Sequence, residues 1–164
     1  MQTTGRATRD AVVAAANGLG LPAIVLTIVR GVPPPRPIDL FFGIAEEFYL
    51  SSAEVQASLG APSLLPLWDD GNFGTVTAIH LPTKRFVCFS VESCVHPDEL
   101  PRLSFQQALI QPFVRMWESE LVDDSFSEIA QLFDFRFAEE IRASYGQPNR
   151  DHERWLAGLM HAAA

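Results

Sequence analysis

Residues 64–91 read LLPLWDDGNFGTVTAIHLPTKRFVCFSV, and this stretch decides the fold. Leu64 to Trp68, Gly74 to Leu81 and Arg85 to Val91 are three runs rich in β-branched and aromatic residues. Asp69-Asp70-Gly71-Asn72 and Pro82-Thr83-Lys84 separate them, and both are turn sequences. Short connections of this kind join antiparallel neighbours, so the three runs predict a meander. In the last run Val87, Phe89 and Val91 alternate with Cys88 and Ser90, which gives the sheet one face suited to packing on helices.

Upstream, a helix is expected from about Thr8 to Asn17, stopping at Gly18 and Gly20, and a second from Ala23 to Arg30 between Pro22 and Gly31. Pro33-Pro34-Pro35-Arg36-Pro37 lacks the amide hydrogens that helices and central strands need and reads as a stiff surface connection. Leu40 to Ile44 is predicted to be a short buried strand, and Ser51 with Glu54 a capping box for a helix that ends at Gly60. Downstream the period changes to that of helices. Ser104 with Gln107 opens one helix, kinked at Pro112, and Ser125 with Glu128 opens another carrying Ile129, Leu132, Phe133, Phe137 and Ile141. Gly146 and Pro148 are read as its end, and Asp151 as the cap of a last short helix. The expected fold is α+β, a central, mainly antiparallel sheet flanked by helices, in one domain over residues 1–164.

Composition agrees with a folded domain: of 164 residues 48% are hydrophobic and 20% charged, and 12 are Phe. The apolar stretch from Ala11 to Val29 is interrupted by Asn17, Gly18, Gly20 and Pro22, so neither a membrane span nor a secretory signal is expected. Two cysteines, Cys88 and Cys94, are too few for a disulfide framework, which favours a reducing cytoplasm. The formal net charge of −8 disfavours nucleic acid, whose affinity for proteins rests on Lys and Arg displacing counterions from phosphates.

Residues that could carry chemistry are poorly spaced for it. His80, Cys88, Cys94 and His96 lack the paired short spacings of a zinc site. No Gly-x-Ser-x-Gly elbow, phosphate loop or dinucleotide fingerprint is present, and the serines stand where helices need N-caps. No metal, no cofactor and no catalysis are therefore expected. The rival in that class is a small-molecule enzyme with a pocket near Trp68, His80 and His96. Adjacent carboxylates read as solvated corners and not as acid–base pairs, but as a field they matter. From Glu92 to Glu140 eleven acidic residues face Arg102, Arg115 and Arg136.

The order of features resembles the SUKH superfamily, which includes the yeast cell-wall-synthesis regulator family and many bacterial immunity proteins. The matching pieces are Leu19-Gly20-Leu21-Pro22, Phe41-Phe42-Gly43-Ile44, Leu64 through Gly74, Val87 to Val91, and Ser104-Phe105. The chain departs from the pattern after Pro22, where the family's acidic and aromatic residues are missing. The resemblance implies an α+β fold without catalytic residues and a role in binding protein, in bacteria typically the neutralisation of a toxin, often a nuclease. Eleven arginines against the single lysine Lys84 point to a GC-rich bacterial genome, which favours immunity over the alternative of a pathway regulator or scaffold.

The expected partner is thus a basic protein, in its sharpest form a nuclease toxin, with no fixed expectation for oligomeric state. It is expected to dock on Asp69, Asp70, Glu92, Asp98 and Glu99, whose charge imitates phosphate, around a desolvated anchor at Trp68 or Phe73.

Overall fold

The computed structural model describes residues 5–120, 123–144 and 151–164. It is an α+β fold in which a three-stranded antiparallel sheet is flanked by helices. Strand β1 (Leu64–Asp69), β2 (Thr75–His80) and β3 (Arg85–Ser90) lie side by side in sequence order, as the turn chemistry between them requires.

The register contains one irregularity with large consequences. Pro66 faces Ala78 but Trp68 faces Thr77, so a bulge falls between them. Side chains two apart on a regular strand share a face; here the extra residue turns Trp68 to the face opposite that of Pro66. Thr77 in turn faces Cys88. Trp68, Thr77 and Cys88 therefore form a row across the three strands on one face.

Helix α1 (Arg9–Gly18) starts where the Thr8 side chain accepts the Ala11 amide, and α2 (Ala23–Val29) ends before Gly31, whose positive φ of 85° suits glycine. The predicted strand at 40–44 is not formed. Residues 38–40 make a 3-10 turn, and only Gly43 is extended, as a bridge to Asp69. Phe41 and Phe42 are buried all the same. A four-residue apolar run reports burial, and burial alone does not choose between strand and turn.

Helix α3 (Glu46–Leu50) follows, closed by Ser51, whose hydroxyl donates to Glu47 O at 2.6 Å. Ser52, one residue later than expected, caps α4 (Ala53–Ser58) by accepting the Val55 amide.

After the sheet, α5 (Phe105–Glu118) opens on the expected capping box: Ser104 Oγ accepts the Gln107 amide at 3.0 Å and Gln107 Oε1 accepts the Ser104 amide at 2.8 Å. Pro112 sits inside this helix without ending it. The second C-terminal helix, expected to be continuous, is two: α6 (Phe126–Leu132) and α7 (Ala138–Ser144). Asp134 takes a φ of 52°, and the Phe135 amide donates back to Ala130 O at 2.9 Å.

The break buries both Phe133 and Phe135. Phe133 stacks on Phe42 at 4.2 Å between centroids, and Phe135 stacks on Phe113 at 4.3 Å. Each fully buried Phe contributes about 1.5–3 kcal/mol and each such ring pair about 0.5–1.5 kcal/mol more, which outweighs the local cost of interrupting a helix. Gly146 and Pro148 lie outside the described residues. Asp151 caps α8 (His152–Ala162) by accepting the Arg154 amide. Among the described residues no helix is long and apolar enough to cross a membrane.

Candidate functional site

The expected docking residues do not gather on one face. Asp69 faces Val76 near the start of β2, whereas His80 at the other end of that strand faces Leu64 and Arg85. The turn residues Asp70 and Phe73 belong to the first end, and so does Glu92, because the Val91 amide donates to Gly74 O at 3.1 Å. Asp98 belongs to the second: its Oδ1 lies 3.7 Å from His80 Nε2 and 3.6 Å from Arg102 Nη2. Glu99 follows it. A six-residue strand spans roughly 17–20 Å, so the two acidic groups are separated by about the length of the sheet.

Trp68 is 1% exposed and Asp69 6% exposed. Neither projects from the surface, which corrects the reading of Trp68 as an exposed docking anchor. β1 is buried along its whole length, and the indole packs against Phe42 at 5.4 Å and Phe105 at 6.4 Å between centroids. Asp69 Oδ1 accepts the Gly71 amide at 2.8 Å. Its pKa is nonetheless raised to about 6, first by burial, with that amide opposing and the charges of Asp70 and Glu47 adding to the rise.

Asp70 organises the turn. Its Oδ1 accepts the Asn72 amide at 3.1 Å and the Gly74 amide at 3.0 Å, which holds Phe73 at a φ of 53°. Phe73 is half-buried against the core, and Glu92, Asp98 and Glu99 are exposed.

One concave feature draws on these residues. A cleft of about 250 Å³ opens between α5 and the sheet face that carries Trp68, Thr77 and Cys88. Phe41 and Pro112 supply its remaining apolar lining, and Asp70, Thr75, Gln111 and Arg115 its polar lining. Arg115 Nη2 donates to Asp70 O at 3.5 Å, and its guanidinium lies 5.9 Å from the centre of the Phe41 ring.

Thr77 Oγ1 and Cys88 Sγ are 3.4 Å apart. Burial pushes the Cys88 thiol pKa up, and the contact with Thr77 opposes that rise. Trp68 Nε1 is buried with no hydrogen-bond partner, and an indole N–H left so is a costly group to bury.

Of the cleft's residues the sequence had singled out Trp68 and Asp70. Cys88 stands out in the sequence only by its poor spacing for zinc, and Pro112 only as a kink. Nothing in the sequence joins Arg115, Phe41 and Thr75 in one site, because only the packing of α5 on the sheet brings them together.

Trp68 and His80 lie on opposite faces of the sheet, since Trp68 faces Thr77 and His80 is three residues further along the same strand. The expected pocket shared by Trp68, His80 and His96 is therefore not formed. His80 is buried, with Nδ1 2.8 Å from Thr83 Oγ1 and Nε2 3.4 Å from Arg102 Nη2. Burial and then Arg102 lower its pKa, and Asp98 opposes them. Among the described residues no group of three or more His, Cys, Asp or Glu is placed to hold a metal ion.

The acidic residues of the C-terminal third are exposed on helices: Glu118 at the end of α5, Glu128 on α6, and Glu139 and Glu140 on α7, with Glu120 and Asp124 between α5 and α6. Arg142 pairs with Glu139 at 3.2 Å and lies over the Trp117 ring. Comparison with protein-family models, curated proteins and solved structures finds no match to this chain.

Proposed function

We propose that this chain is a non-catalytic protein-binding domain for a basic partner and, in the bacterial setting to which its arginine-rich composition points, an immunity protein that neutralises a cognate toxin such as a nuclease. The observation that carries the reading is the imbalance of exposed charge. Glu92, Asp98, Glu99, Glu118, Glu120, Asp124, Glu128, Glu139 and Glu140 are all exposed, in a chain of net charge −8.

The cations interspersed with them are partly engaged. Arg102 donates to Leu100 O and sits beside Asp98, and Arg142 sits beside Glu139. Such a surface attracts a face built to hold phosphates, and the attraction speeds encounter more than it tightens the complex. The SUKH-like order of features supports the same reading.

The test is co-expression with the product of the adjacent gene. Rescue of growth, together with a purified complex whose association slows as salt rises, supports the proposal. An adjacent product that is toxic and is neither bound nor neutralised overturns it.

A further inference from the structure

We propose that the cleft between α5 and the sheet is the anchor pocket of the interface, and that it takes one leucine-, methionine- or phenylalanine-sized side chain of the basic partner together with that residue's backbone carbonyl. The inference rests on the protein-binding reading and names the site it uses.

Three observations select this occupant. At about 250 Å³ the cleft is smaller than the roughly 300–1,000 Å³ of typical small-molecule pockets, and it suits a single side chain. Its walls are the Trp68 and Phe41 rings and Pro112, so the inserted group is apolar. Its donor points to a carbonyl as the second part of the ligand, since the Arg115 guanidinium at the cleft holds Asp70 O only at 3.5 Å.

Asp70 lines the same cleft opposite in sign to Arg115, so the lining carries no net charge. A neutral carbonyl suits that pair better than a carboxylate, which Asp70 would repel. The carboxylates of Asp70 and Glu92 at this end of the sheet complement basic residues flanking the anchor.

Cys88 gives the cleft its own reporter. It is half-buried in the lining, while Cys94 is exposed elsewhere and serves as an internal reference. Because burial raises the Cys88 thiol pKa, alkylation by iodoacetamide is followed at mildly alkaline pH, cysteine by cysteine, by mass spectrometry. The probes are N-acetyl-leucinamide and N-acetyl-phenylalaninamide, with N-acetyl-alaninamide and benzoate as controls. The amide–indole spectrum supplies a second signal from Trp68.

The expected result is saturable movement of the Trp68 indole resonance and, at ten times the dissociation constant, about tenfold protection of Cys88 without protection of Cys94. Gln111→Trp and Thr75→Trp, each placed at an exposed lining position, should abolish both effects. Two variants on different elements guard against one that fails to fold.

No protection by either bulky amide overturns the proposal. So does equal protection by N-acetyl-alaninamide, or protection by benzoate alone, which marks a site for small anions. A partner from the co-expression test that binds wild type and both occluded variants equally well also overturns the anchor pocket, while the protein-binding reading survives. Failure of the adjacent product to bind wild type is failure of that reading, and it is seen separately from the result with the amides.

Discussion

Gly43 and Asp69 exchange two backbone hydrogen bonds, Gly43 N–H to Asp69 O at 3.1 Å and Asp69 N–H to Gly43 O at 3.0 Å. This bridge ties the segment before α3 to the outer edge of β1 and closes the sheet beside the Asp70 turn. It also leaves no room for a side chain. A Cβ on Gly43 would collide with Asp69 Oδ1 and come within 3.1 Å of Gly71 Cα.

Gly43→Ala is therefore expected to destabilise the protein by about 1–3 kcal/mol, the usual cost of overpacking. Neither neighbour can yield cheaply, since Asp69 is buried and holds the Gly71 amide. Urea denaturation measures the effect; a midpoint equal to that of wild type would refute the steric argument.

Asp69 predicts a pH dependence with a definite sign. Its folded-state pKa of about 6 exceeds the ordinary 3.8, so the fold holds this proton more tightly than the unfolded chain does. The stabilisation is fully present below pH 3.8 and is lost as pH rises through about 6. That gap corresponds to on the order of 2–3 kcal/mol. Asp69→Asn keeps an acceptor for Gly71 and removes the titration, so the stability difference between variant and wild type should grow in the variant's favour from pH 4 to pH 7. A constant difference across that range excludes a raised pKa at Asp69.

Ser104 is expected to matter beyond its own helix. Its hydroxyl donates to Ala163 O at 2.5 Å while accepting the Gln107 amide, and Gln107 Nε2 donates to Met160 O at 2.9 Å. The capping box thus also holds α8. Ser104→Ala should cost about 1–2 kcal/mol. The distinguishing readout is hydrogen exchange, which should accelerate at the last turn of α8 as well as the first turn of α5. Acceleration confined to α5 means that the contact with Ala163 contributes nothing.

The parts of the fold that local chemistry dictates were legible in the sequence. The three strands were bounded by turn residues, and Ser104, Asp151 and Gly31 marked helix ends whatever surrounded them. What escaped depended on distant packing. Phe41 and Phe42 read as strand because they are apolar, and Phe133 to Phe137 as continuous helix because their spacing allows it. Stacking of Phe133 on Phe42 and of Phe135 on Phe113 decides both cases, and neither partner is near in sequence. The candidate site failed for a related reason. Asp70 follows β1 and Asp98 follows β3, whose ends lie at the same end of the sheet, but the chain after Val91 returns to the His80 end before it reaches Asp98, and Trp68 stands on a strand buried along its whole length.

The separation of the two acidic groups makes the docking proposal directional. If the partner anchors in the cleft, it covers the end of the sheet that carries Asp70, Asn72 and Glu92, and the end carrying Asp98 and Glu99 stays in solvent. Reversal of charge should then act at one end only. Asp70 itself is a poor position for the test because its carboxylate holds the turn amides of Asn72 and Gly74. Asn72 and Glu92 are exposed and free of that duty. Asn72→Lys/Glu92→Lys is expected to slow association by about 3- to 10-fold at low ionic strength with little change in dissociation, because rim charges act mainly through steering. The effect should vanish as added salt shortens the Debye length. Asp98→Lys/Glu99→Lys removes a carboxylate already shared with Arg102 and should leave the association rate within about twofold of wild type. Stopped-flow or surface-binding kinetics across a salt series reads both pairs. A larger effect from the second pair than from the first would place the interface at the His80 end of the sheet and exclude the cleft as its anchor.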